Sequence, residues 1–66
     1  MTVYDVYVGR LRMIVREAPA GIQSEATGEA RVIEDRGYDG LRVIAHDQTE
    51  AGLIAEEYYR ETGFIF

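Results

Sequence analysis

His46 is the only histidine of the chain and is followed directly by Asp47, so the one imidazole able to act as a general base near neutral pH stands beside a carboxylate. That pair lacks the company that chemistry requires. No cysteine, second histidine or compact carboxylate group is spaced to complete a metal shell, so neither a metal site nor a cofactor is expected. Asp47 also has a competing duty, because it can cap a helix that starts at the next residue. His46 is therefore expected as a partly exposed strand-end residue, and a small-ligand or catalytic role there ranks behind two other readings. Ser24 would become a nucleophile only if His46 folded against it, which nothing in the spacing requires. The chain is expected not to be an enzyme.

Phosphate and calcium fare no better. A helix start after Asp47 would attract anions, but Asp47 and Glu50 place two negative groups there already. Gly9, Gly37 and Gly40 form no nucleotide-binding fingerprint. Glu34, Asp35, Asp39, Glu56, Glu57 and Glu61 are scattered and lack the regular alternation of a calcium loop.

The remaining candidates are contact residues. Tyr7, Arg10, Arg12 and Arg16 lie within ten positions and form the one concentrated cationic patch, suited to an acidic segment or to stacking a nucleotide base. Leu53 falls among Glu56, Glu57 and Arg60, where a monomer would prefer a polar residue. Phe64, Ile65 and Phe66 end the chain as a short apolar run that could expose a strand edge.

Composition narrows what such residues can serve. The chain has 66 residues with a formal charge of −5, is 47% apolar, and has seven arginines but no lysine. A chain this short hides about 60% of the surface it exposes unfolded, so one thin core is expected in a single domain spanning 1–66. Net negative charge disfavours a nucleic-acid partner on general grounds, since phosphate contacts need clustered cations. No run reaches the roughly 20 apolar residues of a membrane-spanning helix, and no basic-then-apolar leader opens the chain, so a cytoplasmic protein without membrane contact is expected. The arginine-only, acidic composition suggests a GC-rich or salt-adapted prokaryote, and the size suits an accessory factor of a virus or mobile element.

Positioning these residues falls to a few elements. Tyr4, Val6 and Val8 alternate with polar neighbours, and Leu11, Met13 and Val15 resume the alternation after Gly9-Arg10. A two-residue hairpin loop with positive φ at Gly9 would set Val8 opposite Leu11, Val6 opposite Met13 and Tyr4 opposite Val15. The other, water-facing side would pair Tyr7 with Arg12, Asp5 with Ile14 and Val3 with Arg16. Leu11, Ile14, Val15 and Ala18 also fit helical spacing, so residues 10–18 admit a helix as the rival reading. Residues 17–28 read as a mobile loop rich in small residues. Glu29–Asp35 and Leu41–His46, joined by the glycine-bracketed turn 36–40, read as a second hairpin. A helix runs from the Asp47 cap to a Gly63 stop, burying Ala51, Ile54, Ala55, Tyr58 and Thr62, with Tyr59 on the flank.

The expected fold is α+β: a small antiparallel sheet of two hairpins, one C-terminal α-helix packed across it, and a short final strand over 64–66 parallel to 41–46 (β-β-β-β-α-β). The expected function is a non-enzymatic protein-interaction or regulatory module that self-associates as a homo-oligomer, with a foreign protein as its other partner, because a staple-free core this thin gains from association. The contact candidates are Tyr7, Arg10, Arg12, Arg16, Leu53, Phe64, Ile65 and Phe66. Weak single-stranded nucleic-acid binding through the Arg/Tyr face is the alternative.

Overall fold

The computed structural model describes residues 1–9 and 11–63. The alternating segments are strands β1 (Thr2–Val8), β2 (Met13–Glu17), β3 (Arg31–Asp35) and β4 (Leu41–Ala45), and the capped segment is helix α1 (Gln48–Thr62). All pairings are antiparallel, in one open sheet ordered β2-β1-β4-β3, with α1 packed across one face. The fold is thus the expected α+β class, and residues 13–17 are extended, which settles the strand against the helix there. The expected strand over 64–66 lies outside the described residues.

The first hairpin forms in a different register from the one expected. Val8 pairs with Met13, Val6 with Val15 and Asp5 with Arg16, two residues out of step with the two-residue loop. The reason is local. Positive φ among the described residues occurs at Gly28, Gly37, Gly40 and Gly63 and not at Gly9, so the tight turn that needs it does not form. A four-residue loop closes instead, with the Gly9 N–H donating to the Arg12 carbonyl at 2.8 Å. A slip of two leaves every side chain on its original face. Tyr4, Val6, Val8, Met13 and Val15 therefore still face α1, while Leu11 is expelled to the loop at 95% exposure. The expected pairs Tyr7–Arg12, Asp5–Ile14 and Val3–Arg16 are replaced by Tyr7–Ile14 and Asp5–Arg16, and Arg12 lies in the loop.

The face away from α1 is partly covered, not simply open to water. Segment 17–28 contains a 3-10 helix, Ala20–Glu25, whose Ile22 packs with Ala26, Ala18 and Ile33 over buried Val3 and Ile44. Gln23 secures it: its Oε1 accepts the Val3 N–H at 2.8 Å, and its Nε2 donates to the carbonyls of Val3 (2.9 Å) and Ala18 (3.0 Å). The side-chain amide thus continues the β1 ladder where β2 turns away at Ala18-Pro19.

Helix α1 is bounded as expected. Asp47 Oδ1 accepts the Glu50 N–H at 2.8 Å, and Gly63 takes the left-handed stop with φ 81°. Glu50 reaches back to the His46 N–H, one residue earlier than the ordinary capping box. The buried stripe is Ala51, Ala55 and Tyr59, with Ile54 and Tyr58 half-buried; Thr62 is exposed, and Tyr59 lies at the centre instead of the flank. Alanines at the crossing let the helix lie close to the sheet, so even a Cβ added at Gly52 would meet Met13 and Val15. Among the described residues, no helix is long and apolar enough to cross a membrane.

Candidate functional site

An open sheet has two edges, and here they are finished differently. On β2, the Gln48 amide, at the start of α1, donates to the Val15 carbonyl at 3.2 Å, so a side chain occupies part of that edge. On β3, no strand among the described residues pairs with the outer side. The strand carries an irregularity at Ile33, between the Val32–Val43 and Glu34–Arg42 pairs, which turns Ile33 toward the 3-10 helix while Val32 faces α1.

Beside β3 runs a groove of about 400 Å³. Its strand wall is Ala30, Arg31 and Val32; its helix wall is Ile54, Tyr58, Glu57 and Glu61. Helical spacing explains the second wall. Ile54, Tyr58 and Glu61 follow one another at one-turn intervals on the flank of the buried stripe. At the end of β3 the Tyr58 hydroxyl donates to Asp35 Oδ2 at 2.7 Å, while the Gly37 N–H donates to Asp35 Oδ1 at 2.9 Å. The Tyr58 hydroxyl first and the Gly37 N–H second hold the Asp35 carboxyl below its usual range; the same Asp35 bond raises the Tyr58 phenol. The groove's walls are thereby pinned together at one end.

The groove is acidic on its helix side. Glu57 and Glu61 stand exposed there, and Asp35 closes the strand end through Tyr58. Arg31 is the cation there, and its Nη1 already donates to the carbonyls of Thr27 (2.9 Å) and Glu29 (2.7 Å). An arrangement of open backbone, apolar floor and charged rim can hold an extended chain, the backbone by ladder hydrogen bonds and alternate side chains in the groove.

The opposite face presents a row of alternating charge across all four strands, Arg16–Asp5–Arg42–Glu34. Asp5 is 7% exposed and accepts from Arg42 Nε at 2.8 Å, Arg42 Nη2 at 3.3 Å and Arg36 Nη2 at 3.2 Å. Its hydrogen bond raises the Arg42 guanidinium further above its already high range. Arg36 Nε is buried without a hydrogen-bond partner. Two of the arginines on this face are thus committed inward, while Arg16 is exposed.

The residues singled out in the sequence are not brought together. Tyr7 is 39% exposed at the end of β1, Arg16 is on β2, Arg12 is in the hairpin loop, and Leu53 is 60% exposed on the outer side of α1. Arg10, Phe64, Ile65 and Phe66 lie outside the described residues. Both hairpin tips share one end of the sheet, where Leu11 and Tyr38 are 95% and 100% exposed. His46 is exposed, and its Nδ1 lies 2.8 Å from Glu50 Oε1. The His46 backbone N–H first, then its ring, lower the Glu50 carboxyl below its usual range. No hydrogen bond among the described residues joins Ser24 to His46. No three His, Cys, Asp or Glu side chains among the described residues gather as a metal group.

The sequence reading missed the groove because it buried Ile54 and Tyr58 whole in the helix stripe and gave Glu29–Asp35 no place in the sheet order. Local alternation does not reveal which strand is outermost. The usable signal was the pair Glu57 and Glu61 flanking that stripe. Set beside protein-family models, curated proteins and solved structures, the chain shows no significant match to any of them.

Proposed function

We propose that the chain is a non-enzymatic protein-interaction module that receives an extended segment at β3. The observation that carries this reading is the unpaired outer side of β3 beside the groove walled by Val32, Ile54 and Tyr58. A domain of this size without disulfides has little stability to spare, and apolar surface covered on binding contributes about 25 cal/mol per Å² before association is subtracted. The carboxylates of β3 and the groove weigh against a second copy in the edge-to-edge arrangement, since pairing two copies would double that charge at one seam.

Capture from source lysate on immobilised protein tests the reading. Wild type and Leu53→Asp are expected to retain the same partner, and Ile54→Asp, confirmed as folded by circular dichroism, is expected to lose it. Equal capture by all three, or none by any, contradicts it. Concentration-independent monomer mass in light scattering is expected alongside.

Nucleic-acid binding through Tyr7, Arg12 and Arg16 keeps exposed residues in its favour but loses the Tyr7–Arg12 pair that framed it. No shift of a labelled oligonucleotide at low salt is expected.

A further inference from the structure

We propose that the segment received at β3 is basic and extended, with an apolar side chain seated between Val32 and Ile54 and lysine or arginine at the following alternate positions beside Glu57 and Glu61. The inference rests on β3 being the contact edge and adds the chemistry of what it contacts.

Charge makes the first case. The carboxylates of Glu57 and Glu61 line the groove, Asp35 stands at its end, and Arg31, the cation of the lining, is turned back onto the carbonyls of Thr27 and Glu29. The whole chain carries −5, so long-range attraction has the same sign as the local one. A second copy, a nucleic acid or an anionic bilayer would each bring more negative charge to this place.

Spacing makes the second. Glu57 and Glu61 are one helical turn apart, about 6 Å along the axis. Side chains on one side of a strand repeat every two residues, at about 6.6 Å. Tyr58 meets Asp35 at the end of β3 while Ile54 lies beside Val32, so α1 and β3 run the same way along the groove. A strand added to β3 therefore carries its same-side residues past Glu57 and Glu61 in a nearly matched step, with Ile54 about 4.5 Å before Glu57 along the helix axis. An apolar residue fits the Ile54 step and cations fit the next two.

The test is an amide NMR titration of the isotope-labelled chain with three blocked hexapeptides that carry valine at position 1, lysine, serine or glutamate at positions 3 and 5, and threonine elsewhere. The lysine peptide is expected to give saturable shifts at residues 30–35 and 54–61, about tenfold tighter than the serine peptide and weakening as salt rises. Glu57→Lys combined with Glu61→Lys, both exposed, is expected to reverse the preference toward the glutamate peptide. Equal binding of lysine and serine peptides at β3 overturns the basic preference and leaves the contact edge standing. Concentration-dependent broadening at β3 without any peptide also overturns it, with a second copy as occupant. Shifts confined to other surfaces, or none with any peptide, overturn both this inference and the contact edge.

Discussion

Asp5 shows how one residue can organise a face. Its carboxylate is nearly buried and is approached by two guanidiniums, an arrangement whose attraction roughly offsets desolvation but whose disruption strands a buried cation. Asp5→Ala is expected to lower stability by about 3 kcal/mol in urea denaturation, and Asp5→Ala with Arg42→Met by less than the sum of the single changes. Additive losses would show that the residues act independently. Gly40 is equally constrained: it holds φ 95°, and a Cβ there would collide with the Val6 carbonyl oxygen. Tyr58 is the residue that ties β3 to α1. Tyr58→Phe removes the first cause of the lowered Asp35 carboxyl, so a carbon-detected titration is expected to show that carboxyl rising toward its ordinary value. An unmoved Asp35 would mean that the bond is not formed in solution.

At the scale of elements, glutamine amides stand in for missing strand. Gln23 completes β1 beyond the end of β2, and Gln48 meets the edge of β2. Gln23→Ala is expected to lose about 1–2 kcal/mol and to speed hydrogen exchange at the Val3 amide. Unchanged exchange there would contradict the ladder role. Much of this level was legible beforehand. The helix, from Asp47 to Gly63, was fixed by cap chemistry that depends on neighbours only, and strand segments followed from alternation. What failed depended on backbone angles or distant partners. Gly9 did not adopt the positive φ that the tight loop needed, so Leu11 left the core and Tyr7 lost Arg12. The place of β3 at an edge was not written in its own residues, because sheet order is decided by how β1 and β4 find each other. The groove was hidden for the same reason.

For the whole molecule, pH dependence follows from the two carboxyls held low. Asp35 and Glu50 titrate lower when folded than unfolded, so each contributes stability above its unfolded value that is lost as pH falls through its folded one. Melting temperature is expected to fall as pH drops through about 4 and below, and Glu50→Gln is expected to flatten that fall. A pH-independent melt over this range would contradict both hydrogen-bond assignments. The molecule also distributes its surfaces unevenly: an alternating-charge face on one side, an acidic groove on the other, and exposed Leu11 and Tyr38 together at one end. Contact at the groove is the claim that gives this distribution a purpose. It is tested most directly by solving, by NMR, the isotope-labelled chain with the partner segment retained by wild type and lost by Ile54→Asp. The expected result is backbone cross-strand contacts between that segment and residues 31–35, with one of its side chains against Ile54. Contacts instead at β2, or at the Leu11 and Tyr38 tips, would contradict the account.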